Sequence, residues 1–171
     1  MIGNILAPQK IYLKPGELVV ADEPALVTTV LGSCIAVTLY SPRLQIGTIC
    51  HAVLPTGKTS QPSRYVDQSV HFMLNYFRKQ RVDIKELVAK MFGGAEMFTQ
   101  VIPESRDRTV GAQNIRSALD SLSLAGMEPV ALDVGGKQGR KLIFNTRTGE
   151  VFLKRLNREI FAEDLGKDLT R

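Results

Sequence analysis

The chain has no tryptophan, only two cysteines and only two histidines in 171 residues. Two thiols cannot build a disulfide scaffold, and no His/Cys/Asp spacing matches a zinc site. No phosphate loop and no Gly-x-Gly-x-x-Gly follows a strand-like run, so nucleotide binding has no support and no cofactor is expected. A Gly-x-Ser-x-Gly elbow, the mark of many serine hydrolases, is also missing. Residues 1–13 lack the basic-then-apolar layout of a secretory signal. Residues 24–42 carry no charge and approach the length of a membrane span. Thr28, Thr29, Ser33, Thr38 and Ser41 interrupt them, Gly32 lies in the middle, and Pro24 and Pro42 close the ends. That pattern reads as two buried strands around a turn, with no membrane insertion. Free thiols without a leader point to a cytoplasmic protein.

What is present describes an ordinary globular chain. Hydrophobic residues make up 44% and charged residues 23%, enough for a sizeable core in one domain spanning 1–171. The formal charge of +5 is spread along the chain. Its densest basic stretch is Lys137, Arg140, Lys141, Arg147, Lys154, Arg155 and Arg158. No nucleic-acid motif accompanies it, so it reads as a solvated pair of strands, with an acidic protein partner left open.

Apolar periodicity gives the element order. Short strands over 10–14 and 17–21 flank Pro15-Gly16. Strands over 26–31 and 34–40 are broken at Gly32-Ser33, and another runs over 45–54. A loop at 55–63 leads to an amphipathic helix over 64–80, set by Val66, Val70, Met73, Leu74 and Phe77. A strand at 87–92 precedes Gly93-Gly94. A second helix covers about 112–125 and stops at Gly126. A strand at 129–134 precedes Gly135-Gly136, and 140–145 with 150–155 form a hairpin across Thr148-Gly149. The charged tail from about 157 reads as a short helix. Adjoining strands without regular βαβ alternation predict a mixed α+β sandwich flanked by two main helices rather than a doubly wound sheet.

Chemistry concentrates at Cys34 and His51. Cys34 follows a Gly-Ser turn at the opening of a strand, which leaves its sulfur near the tip of that strand. His51 lies on the next apolar run and reaches the sulfur if the two strands are neighbours. A thiol beside an imidazole is the minimal apparatus for attack on a carbonyl carbon. A buried cysteine that merely fills space is the competing reading. Cys50 points to the opposite face from His51 and reads as core packing. His71 reads as a helix-flank residue.

The chain resembles the CheD family of chemoreceptor glutamine deamidases from about residue 12 to 156. The resemblance is carried by Lys14-Pro15-Gly16-Glu17, Leu31-Gly32-Ser33-Cys34-Ile35-Ala36-Val37, the histidine segment from Gly47 to Pro55, Arg64-Tyr65 with Asp67, Phe92-Gly93-Gly94-Ala95 with Met97-Phe98, and Asp133-Val134-Gly135-Gly136 with Gly139-Arg140 and Thr148-Gly149. It implies a fold similar to the catalytic core of cytotoxic necrotizing factor toxins. It also implies a catalytic Cys34, His51 and Thr28, the last six residues before the cysteine, with Thr29 adjacent. The implied substrate is glutamine on the methylation helices of chemoreceptors, and a CheC-type phosphatase is an implied partner. Thr48 stands where the family often has a second glycine, which is expected to narrow access near the histidine strand. Gln113 stands where an arginine is usual. A regulatory binding module, or another thiol acyl-transfer enzyme such as a transglutaminase or protease, stays open.

Overall fold

Nine strands and three helices follow from those runs in a computed structural model, which describes residues 7–97 and 108–168. Strands β1 (Gln9–Tyr12), β3 (Ala25–Leu31), β8 (Gly139–Asn145) and β9 (Val151–Leu156) form one sheet in the order β1-β3-β8-β9. Strands β2 (Leu18–Val20), β4 (Ile35–Ser41), β5 (Ile46–Ala52), β6 (Val88–Gly93) and β7 (Ala131–Val134) form a second in the order β2-β5-β4-β6-β7. Both sheets are mixed: β1 runs parallel to β3 and β6 parallel to β7, while the other pairs are antiparallel. This is the mixed α+β sandwich that the sequence predicts. Met97-Phe98 falls partly outside the described residues.

The helices α1 (Val66–Lys79) and α2 (Val110–Leu124) cover one face of the five-stranded sheet. Val70, Met73 and Phe77 of α1 and Leu122 of α2 meet Val37, Leu39, Cys50 and Ala52 there, all buried. The other face of that sheet packs on the four-stranded sheet through Ala36, Ile49, Phe92, Val27, Leu31, Leu142 and Phe144. Strand β4 is therefore covered on both sides, which explains why its sequence is apolar almost throughout. Helix α2 begins two residues before its periodicity predicts. The Thr109 hydroxyl accepts from the Ala112 N–H at 3.2 Å and caps the first turn. A third helix, α3 (Arg158–Asp168), occupies the charged tail. Among the described residues no helix is long and apolar enough to cross a membrane.

The chain changes sheets at residues 32–34. Strand β3 belongs to the four-stranded sheet and β4 to the five-stranded one, so the Gly32-Ser33-Cys34 turn is the seam between layers.

Candidate active site

Main-chain carbonyls pin that turn from one side. Gly32 O accepts from Ala95 N at 2.8 Å, and Cys34 O accepts from Gly94 N at 2.8 Å. Ser33 O accepts from Asn114 Nδ2 at 3.0 Å. The close approach of β6 needs glycine: Gly93 has φ +110°, and a Cβ on it would collide with the Cys34 carbonyl oxygen. The run Phe92-Gly93-Gly94-Ala95 is thus a brace for the cysteine turn.

His51 lies on β5, the antiparallel neighbour of β4. Ala36 pairs with His51 and Ile35 with Ala52. Cys34 lies in the turn just before β4, two residues from Ala36, the partner of His51. A diagonal span of roughly 7–8 Å between neighbouring strands is one that an aromatic ring such as the imidazole bridges. Cys34 and Ala36 both pack in the inter-sheet layer, whereas Cys50 faces the helices, fully buried. The Lys14-Pro15-Gly16-Glu17 turn holds the histidine strand. Gly16 N donates to His51 O at 2.7 Å and His51 N donates to Glu17 O at 2.9 Å.

The hydroxyl on the imidazole is that of Thr29, not of Thr28. Thr29 Oγ1 lies 2.7 Å from His51 Nδ1, and both side chains are buried. Strand β3 alternates, with Ala25, Val27, Thr29 and Leu31 turned inward. Thr28 is only half-buried on the other face, in register with Tyr12 and Ile143. Thr29 Oγ1 also donates to the Leu13 carbonyl at 2.8 Å. A hydroxyl has one proton, and a carbonyl only accepts. With that proton directed to Leu13, Oγ1 must accept from Nδ1–H, which leaves the lone pair on Nε2.

Burial keeps the Cys34 and His51 side chains neutral. It pushes the half-buried Cys34 thiol up to about 11, with the cysteine's own backbone N–H pulling the other way. It pushes the His51 imidazole down to about 4, opposed by the Leu13 backbone. At neutral pH the pair is a thiol and a free imidazole rather than an ion pair, which suits a base that takes the sulfur proton only as attack begins.

Other candidates lie elsewhere. His71 is exposed on α1, with Nε2 2.8 Å from Asn75 Nδ2. Thr48 is buried on the helix-facing side of β5, its Oγ1 3.4 Å from Leu39 O. It does not narrow access to His51, because neighbouring side chains on a strand face opposite ways. In the basic stretch, Arg140 Nε and Arg155 Nη2 donate to Asp133 at 2.7 and 2.8 Å, and Lys141 reaches Asp164 at 3.3 Å. Partial burial pushes the Asp133 carboxyl up, but the bonds from Arg155 and Arg140 outweigh it and hold it low. Among the described residues no three His, Cys, Asp or Glu side chains gather as a metal site.

Residues 53–155 match the family model described as CheD chemotactic sensory transduction. A probable chemoreceptor glutamine deamidase CheD 2 from Geobacter sulfurreducens is 45% identical over 148 residues, covering 86% of this chain and 91% of that protein. A probable chemoreceptor glutamine deamidase CheD from Maridesulfovibrio salexigens is 40% identical over 163 residues, covering 90% and 95%. The chemoreceptor glutamine deamidase CheD of Thermotoga maritima is 33% identical over 144 residues, covering 82% and 88%.

Proposed function

The chain belongs to the CheD family, and from that premise we propose that it hydrolyses glutamine side chains of chemoreceptors to glutamate, using Cys34, His51 and Thr29. His51 Nε2 takes the Cys34 proton as the sulfur attacks the carboxamide carbon. The carbonyl oxygen becomes an oxyanion, and backbone N–H groups of the 32–34 turn, that of Cys34 first among them, are its candidate donors. The imidazolium returns its proton to the nitrogen, the C–N bond breaks and ammonia leaves a thioester. Water, deprotonated by the same imidazole, adds to the thioester; the C–S bond breaks and the thiol is regenerated with a new glutamate. Thr29 orients the ring through Nδ1 but carries no charge, so it stabilises imidazolium less than a carboxylate does. That suits slow covalent adjustment of a receptor. The reaction is assigned to the cytoplasm, on the receptor's methylation helices, and a CheC-type phosphatase fits as a second partner.

The observation that carries this reading is the 2.7 Å Thr29–His51 contact on the face that Cys34 shares. The test is incubation with a chemoreceptor cytoplasmic fragment, followed by mass-spectrometric mapping of amide-to-acid conversion. Wild type converts specific glutamines, whereas Cys34→Ala and His51→Ala do not. Equal conversion by all three rejects the assignment. A cross-linked or cleaved product points instead to transglutaminase or protease chemistry.

A further inference from the structure

Asn114 lies on α2, fully buried, and touches both halves of the site through the main chain. Its Nδ2 donates to Ser33 O, beside the nucleophile, and to Val53 O, just past the histidine strand, each at 3.0 Å. Its Oδ1 is the one buried side-chain nitrogen or oxygen among the described residues without a hydrogen-bond partner. An unpaired buried acceptor is unfavourable, so the two donors are what this position contributes. A short primary amide supplies both from one nitrogen.

The Ser33 carbonyl and the Cys34 N–H belong to one peptide plane and point in opposite directions across a trans bond. Drawing the carbonyl toward α2 turns the N–H to the side of the Cys34 sulfur, where it acts on the thiol. The neighbouring carbonyls of Gly32 and Cys34 are held by backbone donors. Of the three, Ser33's is the one held by a side chain.

We infer that Asn114 is a positioning residue for deamidation: through Ser33 it aims the Cys34 N–H at the oxyanion, and through Val53 it ties the nucleophile turn to the histidine strand. This rests on the deamidase reading above. No bond to Asn114 forms or breaks in the reaction.

The test compares two reactions of the same sulfur. Glutamine deamidation builds an oxyanion, whereas alkylation by iodoacetamide displaces iodide at a saturated carbon and builds none. Asn114→Leu is expected to lower kcat on the receptor fragment about 10- to 100-fold, with KM near wild type and a much smaller fall in the alkylation rate of Cys34, since the thiol loses only the help of its own N–H. Asn114→Asp presents an acceptor-only carboxylate to two carbonyls. Protonation restores one donor, so its kcat rises as pH falls from 8 to about 6 while that of wild type does not. An unchanged kcat in Asn114→Leu overturns the proposal, and so does a parallel fall in kcat and alkylation. If the leucine variant does not fold, the aspartate variant decides, and a kcat insensitive to acidification overturns the proposal. Wild type without conversion sinks the deamidase reading and this role with it. An active wild type beside an equally active leucine variant sinks the role of Asn114 alone.

Discussion

One hydroxyl proton decides which imidazole nitrogen can act as base. Thr29 directs it to Leu13, so Thr29→Val, which keeps the shape and deletes the hydroxyl, removes the acceptor at 2.7 Å from Nδ1 and leaves the Leu13 backbone alone to hold the tautomer. Deamidation by Thr29→Val is expected to fall, by less than the roughly 10⁴-fold that loss of a charged orienting group costs, Thr29→Ser is expected to retain most activity, and Thr28→Val is expected to match wild type. Initial rates on a receptor fragment check all three, and a larger loss at Thr28 than at Thr29 contradicts the geometry. The adjacent threonines could not be separated by pattern. Val27 and Leu31 share the face of Thr29, while Leu26 and Val30 share that of Thr28. With both sets apolar, alternation carries no sign of which face is inward. Cys34 and His51 stand out as a thiol and an imidazole on successive apolar runs, but that pattern alone also fits a space-filling cysteine, and the family resemblance is what singles them out. Asn114 carries no such signal. Nothing in its local sequence shows that it reaches back to residue 33.

Strand β6 and the glycines at its end carry the demand of the cysteine turn at the level of elements. Gly93→Ala places a methyl against the Cys34 carbonyl at a φ that L-residues rarely adopt. It is expected to cost about 1–3 kcal/mol and to lower turnover by displacing the sulfur, read from denaturant midpoints and initial rates on the same preparation. Stability and turnover both unchanged would show that the brace is not needed. Periodicity located these elements well, since α1 and α2 each show an apolar stripe at helical spacing and β3, β4, β6 and β7 end at or beside Gly or Pro. Their grouping was not legible. Strand β3 pairs with β8, more than a hundred residues later, and no local feature of either names its partner. The same holds for the crossing from one sheet to the other at residues 32–34.

For the molecule as a whole, His51 couples stability to acidity. Folded, its pKa is about 4, against 6.5 for a free imidazole. Between those values the unfolded chain binds the proton and the folded chain does not. Stability is thus complete above pH 6.5 and is lost as pH falls toward 4, by about 3 kcal/mol for a shift of this size. Urea midpoints measured from pH 7 to 4 are expected to fall for wild type and to fall less for His51→Gln. Identical slopes would remove His51 as the source.

Because Thr29 belongs to one layer and His51 to the other, the assembly works like an electrical contact closed only when two plates are pressed together. Separation of the layers by little more than a hydrogen-bond length would open it while each ladder stayed intact. Turnover is then a more sensitive gauge of how the two plates are seated than far-ultraviolet circular dichroism, which registers the helices and ladders but not the gap between layers.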